Sequence, residues 1–182
     1  MFILSIIIAI IIGYLYKGQL RNLMQLQIQG FAFIFASFLV ELMAKMLLKM
    51  NIIELGIVSY TLHLITYVLL FIMLFKNKKN LGFKFIGVGS LLNALVIFAN
   101  DGIMPVGQWA LSKLGISTIT QIEGMYLVMN DKMNFRILGD ILPVHLKKIA
   151  FILSIGDLFI MLGIILVIAQ GMKQNNKVAE PI

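Results

Sequence analysis

Five stretches of this chain run for sixteen to twenty-one residues with no more than two charged side chains apiece, which leaves it little choice of solvent. With 60% hydrophobic and 13% charged residues among 182, and a mean hydropathy of +0.99, there is too little polar surface to wrap such blocks in water. Lipid then forms the surroundings, and inside lipid each backbone amide must be satisfied within its own segment, which selects helices. A stretch of about 20 residues rising about 1.5 Å each reaches roughly 30 Å, the depth of one hydrocarbon core. The expectation is an all-α, polytopic transmembrane helix bundle in a single domain, with spans at 1–16, 28–48, 55–75, 81–99 and 149–169. No basic residue precedes the first stretch, so it reads as an uncleaved span rather than a signal peptide.

Basic residues left between the blocks report orientation, because short loops rich in Lys and Arg stay on the cytoplasmic side. Lys17 and Arg21 follow the first stretch, Lys76, Lys78, Lys79 and Lys84 follow the third, and Lys173 and Lys177 follow the fifth with Glu180 beside them. On the opposite side lie the turn from Met50 to Glu54 and the loop 100–148, whose basic residues are nearly balanced by Asp101, Glu123, Asp131 and Asp140. The amino terminus and the loop 100–148 are therefore expected outside, and the tail 170–182 inside. The formal charge of +7 is a topology signal, so membrane lipids are expected as neighbours and nucleic acid is not. With no cysteine, disulfides, thiolate metal sites and cysteine nucleophiles are excluded. Within the long loop, helix-like spacing from Val106 to Leu114 ends at Gly115 and predicts a short interfacial helix anchored by Trp109.

An ionisable group in hydrocarbon costs at least about 2.5 kcal/mol on insertion scales, so each one must face protein or water. Counted from the external ends of their stretches, Glu41, His63, Asn93 and Asp157 lie six to eight residues deep, roughly 9 to 12 Å below one boundary. Their common depth predicts a hydrated pocket opening outward, with Asn100, Asp101 and Asp140 as further candidates at its mouth. Each also has a plainer reading. Glu41 and Lys45 stand four apart and can neutralise one another, while Asn93 can bind a neighbouring helix. Ser154-Ile155-Gly156-Asp157 has the form of a capping box, which would start the last helix near Ile155.

Three motifs punctuate this side: Asn100-Asp101-Gly102-Ile103-Met104-Pro105-Val106, Leu138-Gly139-Asp140-Ile141-Leu142-Pro143, and Ser154-Ile155-Gly156-Asp157. In order and spacing the chain resembles, over nearly its whole length, the bacterial membrane family known as domain of unknown function 5317. Asp101 and Ile103 depart from that pattern, which favours glycine and a basic residue there. The resemblance implies a multi-pass protein of the bacterial cytoplasmic membrane and assigns no activity. Phe151 to Leu166 is also faintly similar to the last span of lipoprotein signal peptidases, with Ser154 where an asparagine is characteristic. That likeness implies an aspartate pair, Asp157 with Asp140 or Asp101, sharing a proton to activate water.

Nucleophile-elbow, phosphate-loop and zinc signatures are missing, so no metal or cofactor is expected. The leading expectation is a pocket for a small amphiphile, a lipid headgroup or a partner helix. A structural or assembly subunit, an intramembrane aspartate-dependent hydrolase and a small transporter are the alternatives. The orientation is open to direct test. In sealed right-side-out vesicles, external trypsin should spare Lys76, Lys78 and Lys79 and cut there only after the membrane is opened; cleavage in intact vesicles would invert the topology.

Overall fold

The computed structural model of the chain describes residues 2–53, 56–116, 126–146 and 149–173. Glu54, Leu55, Glu123, Lys147, Lys148 and the tail carrying Lys177 and Glu180 lie outside them. Five longer helices follow the apolar stretches: α1 (Phe2–Leu15), α2 (Phe31–Lys49), α3 (Ile57–Lys76), α4 (Leu81–Ala99) and, after a short α5 (Gln108–Lys113), α6 (Ile155–Lys173). Of these, α2, α4 and α6 are long and apolar enough to cross a membrane, while α1 and the Tyr60–Lys76 part of α3 are shorter apolar helices.

Local chemistry sets the helix ends. The Asn80 side chain accepts from the Gly82 amide at 2.8 Å and starts α4. Both α2 and α4 stop in Schellman turns, where Ile52 N–H reaches Leu47 C=O at 3.0 Å and Gly102 N–H reaches Ile97 C=O at 2.9 Å. Each turn needs a left-handed residue, supplied by Asn51 at φ 55° and Asp101 at φ 56°. Short polar side chains tolerate that conformation better than most residues, though less well than glycine.

Packing centres on α6. Gly82 and Gly89 of α4 face Gly163 and Gly156 of α6 so closely that a Cβ on Gly82 would sit 2.7 Å from the Gly163 carbonyl oxygen. A Cβ on Gly156 would likewise meet the Gly89 carbonyl at 2.6 Å. Two antiparallel backbones therefore come close along a seam whose glycine positions have no room for a side chain of their own. On another face of α6 packs α1, through its small stripe Ser5, Ala9 and Gly13, with Met172 against Gly13. The hairpin α2–α3 forms a second pair, joined more loosely to α4 through α3.

Outer helix faces remain apolar, with Ile3, Ile11, Phe35, Met46, Val68 and Leu91 among many exposed large side chains. Such continuous apolar surface is compatible with a lipid environment and costly in water. Lys17, Arg21, Lys76, Lys78, Lys79, Lys84 and Lys173 gather at one end. There the residues after α1 reach α6, with Gln19 N–H on Met172 C=O at 2.9 Å and Asn22 Nδ2 on the same oxygen at 2.7 Å. Asn77, just past α3, exchanges hydrogen bonds of 3.0 and 2.7 Å with the Gln29 backbone.

At the opposite end the segment between α4 and α6 departs from the all-α expectation, although the chain as a whole is mostly helical. β1 (Met104–Val106) pairs in parallel with β2 (Tyr126–Val128), and β3 (Leu142–Leu146) pairs antiparallel with β4 (Ile149–Leu153). The stretch 149–169, expected as one helix, is thus divided at Ser154. Its first five residues are rich in strand-favouring Ile and Phe and find a partner in β3, while the capping box starts α6 at Ile155.

The glycine seam separates two substitutions that look alike in sequence. Gly89→Leu should force α4 and α6 apart and cost about 3 kcal/mol, read as a lowered unfolding temperature in mild detergent. Gly87, with nothing within 4 Å of its would-be Cβ, should accept leucine with a change below about 0.5 kcal/mol. Equal losses for both would refute the seam.

Candidate functional site

The looser junction between the α2–α3 and α4–α6 pairs leaves room for polar side chains below the connecting segment. A cavity of about 430 Å³ opens there, and Glu41, His63, Asn93, Asp140 and Asp157 all line it. Five of the seven residues singled out from sequence are therefore brought to one place. Asn100 and Asp101 are not. Asn100 is buried at the end of α4, where its Nδ2 donates to Val96 C=O at 2.7 Å and its Oδ1 accepts from Asn134 N–H at 2.8 Å, tying the connecting segment to the helix. Asp101 is the exposed left-handed residue of the adjoining turn.

The floor is a closed network at the start of α6. Ser154 Oγ accepts from Asp157 N–H at 2.9 Å, and Asp157 Oδ2 accepts from Ser154 N–H at 3.1 Å, the reciprocal pair of a capping box. Across the glycine seam, Asn93 Nδ2 donates to Asp157 Oδ1 at 3.0 Å while Asn93 Oδ1 accepts from Ser154 Oγ at 2.8 Å. A Cβ on Gly156 would collide with Asn93 Oδ1, so the same seam that joins the helices admits this amide. Asp157 sits in the first turn of α6, and its two carboxyl oxygens accept from Asn93 Nδ2 and Ser154 N–H.

One wall comes from α2 and α3. Lys45 Nζ lies 3.5 Å from Glu41 Oε1, and His63 Nδ1 lies 3.3 Å from Glu41 Oε2. The second contact lacks the alignment of a good hydrogen bond, so attraction to the carboxylate positions the ring more than a directed bond does. His63 is 5% exposed, and its Nε2 meets no hydrogen-bond partner among the described residues.

The opposite wall holds Asp140. Its backbone is locked by Asp140 N–H on Pro105 C=O at 2.9 Å and Gly107 N–H on Asp140 C=O at 2.8 Å. Burial, helped by the charge of Asp157, pushes its carboxyl from 3.8 up to about 8. Tyr67, Ser90, Lys45 and Tyr126 also line it and were not among the sequence candidates. Only Lys45 and Tyr67 carried a signal, through their spacing from Glu41 and His63. Tyr126 arrives through strand pairing, which leaves little trace in a three-residue strand. Among the described residues no three His, Asp or Glu side chains converge as a metal site would need. Trp109 is 54% exposed on α5, as an interface anchor requires.

Because Asp140 holds in the folded chain a proton that the unfolded chain gives up near 3.8, it stabilises the fold fully at low pH. That contribution fades as pH rises toward about 8. Asp140→Asn, neutral at every pH, should therefore unfold at a progressively higher temperature than the parent as pH is raised from about 5 to about 9. A difference independent of pH would remove Asp140 from the buried, uncompensated role.

Comparison with known proteins adds no activity. An uncharacterised protein of Thermotoga maritima is 27% identical over 103 residues, 55% of this chain and 58% of that protein. The chain thus spans a little over half the length of this relative. No solved structure matches. Residues 25–169 match the model described as "Family of unknown function (DUF5317)", a region holding α2 to α4, the connecting segment and most of α6, and the chain belongs to that family.

Proposed function

We propose that this protein is a five-span component of the bacterial cytoplasmic membrane, amino terminus outside, that holds a small amphiphile or lipid headgroup in an outward-facing polar cavity. Alternation of α1, α2, α3, α4 and α6 brings Lys17, Arg21, Lys76, Lys78, Lys79, Lys84 and Lys173 to one end and the cavity with its connecting segment, where acidic residues nearly balance the basic ones, to the other, the arrangement that retention of Lys and Arg inside favours. The single observation that carries the binding reading is the cavity of about 430 Å³ lined by Glu41, His63, Asn93, Asp140 and Asp157. Its volume falls in the range of small-molecule sites, and polar groups from α2, α3, α4, α6 and the connecting segment converge on it beside apolar side chains. α5 with its exposed Trp109 then rests at the outer interface.

The aspartate-pair reading draws support from the shared cavity of Asp140 and Asp157. It is weakened by how Asp157 is employed, since Asn93 and the Ser154 amide each occupy one of its carboxylate oxygens. A carboxylate committed to capping a helix is poorly placed to activate water. Asp101, the other partner considered, stands apart in an exposed turn.

Native mass spectrometry of gently extracted protein is the deciding experiment. The parent should carry an added mass of lipid or amphiphile size, and Ser90→Met, which fills the cavity, should lose it while keeping its unfolding temperature within a few degrees. A bare parent that also takes up no added membrane lipid sinks the binding reading and favours an assembly subunit.

A further inference from the structure

The cavity is unequal in charge. Facing Asp140 across it are Glu41 and Lys45 from α2, His63 and Tyr67 from α3, Tyr126 from β2 and Asp157 from α6, while α4 presents only uncharged groups. Among the described residues three carboxyl groups, that of Asp140 protonated at neutral pH, share the space with one ammonium, and that ammonium is engaged 3.5 Å from Glu41. Asp157 is held by neutral donors, and Asp140 has no cation beside it among the described residues. Arg136, in the same connecting segment, is paired at 2.7 Å with Asp131.

His63 gives an independent indication. With its proton on Nδ1, toward the Glu41 carboxylate 3.3 Å away, the neutral tautomer of this ring presents Nε2 as a lone-pair acceptor. That nitrogen belongs to a side chain 95% buried, lines the cavity and is unpartnered among the described residues. A buried acceptor calls for a donor, and His63 Nε2 has none among the described residues. An anionic headgroup would bring a further negative charge into a buried acidic site. An ammonium supplies both the missing charge and N–H donors, with the rings of Tyr67 and Tyr126 in the same lining.

We propose that the cavity recognises a primary ammonium group, as in an aminophospholipid headgroup or a free small amine, with His63 Nε2 and the Asp140 carboxylate as its acceptors. This rests on the binding reading above. It carries a linkage: below about pH 8 Asp140 holds a proton, and the arriving cation displaces it, so each binding event releases a proton to solvent and affinity rises with pH. No bond other than O–H is broken, and charge balances because one cation enters as one proton leaves.

The test uses the full chain, stripped of lipid in a neutral detergent, and calorimetric titration in two buffers of different ionisation heat. The probes are short-chain phosphatidylethanolamine, phosphatidylglycerol of the same chain length, and free ethanolamine. Phosphatidylethanolamine should bind about tenfold or more tightly than phosphatidylglycerol and release about one proton at roughly pH 6.5. Asp140→Asn should abolish the release and weaken binding about tenfold, and its unfolding temperature reports whether it is folded. Binding of free ethanolamine identifies a solute as the source of the ammonium, and binding of the lipid alone identifies the bilayer; either supports the chemistry. Equal or tighter phosphatidylglycerol binding, or phosphatidylethanolamine binding by the parent without proton release, overturns the proposal. If the gently extracted protein retains another amphiphile but ignores both probes, the ammonium inference fails while the binding reading stands; if it retains nothing and binds nothing, both fall.

Discussion

Contact between the backbones of α4 and α6 is the constraint from which the remaining structure follows. Four glycines, at 82, 89, 156 and 163, leave their own positions bare on the line where the helices meet, so the backbones approach and the side chains of Ile86, Asn93, Ile160 and Val167 fit against them. In a lipid setting no hydrophobic drive pushes helices together, so close van der Waals fit and hydrogen bonds must do it. The seam supplies the first and makes the second possible. With Gly156 bare, Asn93 reaches both the hydroxyl of Ser154 and the carboxylate of Asp157.

That reach ties the end of one helix to the side of another and converts an awkward feature into a stable one. A helix that starts at membrane depth exposes unpaired amides, and a charge at that depth is costly. At the start of α6 each cancels the other: the carboxylate caps an amide, the hydroxyl caps a second, and the amide of Asn93 closes the ring. Asp140 has no such side-chain partners among the described residues, and its burial, with the charge of Asp157 nearby, pushes its carboxyl up to about 8. Two aspartates in one cavity are thus held in different ways, one by hydrogen bonds and the other by burial.

The elements most legible in the sequence were those written in long periods. Apolar blocks marked the five longer helices, and the Asn-Asp-Gly and Ser-Ile-Gly-Asp motifs marked where α4 stops and α6 starts, because capping is local chemistry within four or five residues. Less legible was the connecting segment. Its strands are three to five residues long, and their pairing joins Met104 to Tyr126 and Leu142 to Leu153, so no local pattern distinguishes them from apolar loop. For the same reason the expected span beginning at Ile149 opens instead with a strand. Depth counting grouped Glu41, His63, Asn93 and Asp157 correctly because rise per residue is constant along a helix. It could not tell that Asn100 and Asp101 turn away, since that depends on the direction of the chain after α4.

By itself, then, the amino-acid order determined the surroundings this chain requires, the helices it forms, their ends and the level at which its polar groups lie. These follow from hydration, backbone hydrogen bonding and regular rise, all of which act within one segment. Tertiary structure alone decided which faces meet, that Gly89 is indispensable where Gly87 is free, and that Asp140 shares a cavity with Asp157 while Asp101 does not. Rotation of one helix against another and the pairing of distant strands are set by the fit of many surfaces at once, and no single stretch of sequence contains that fit.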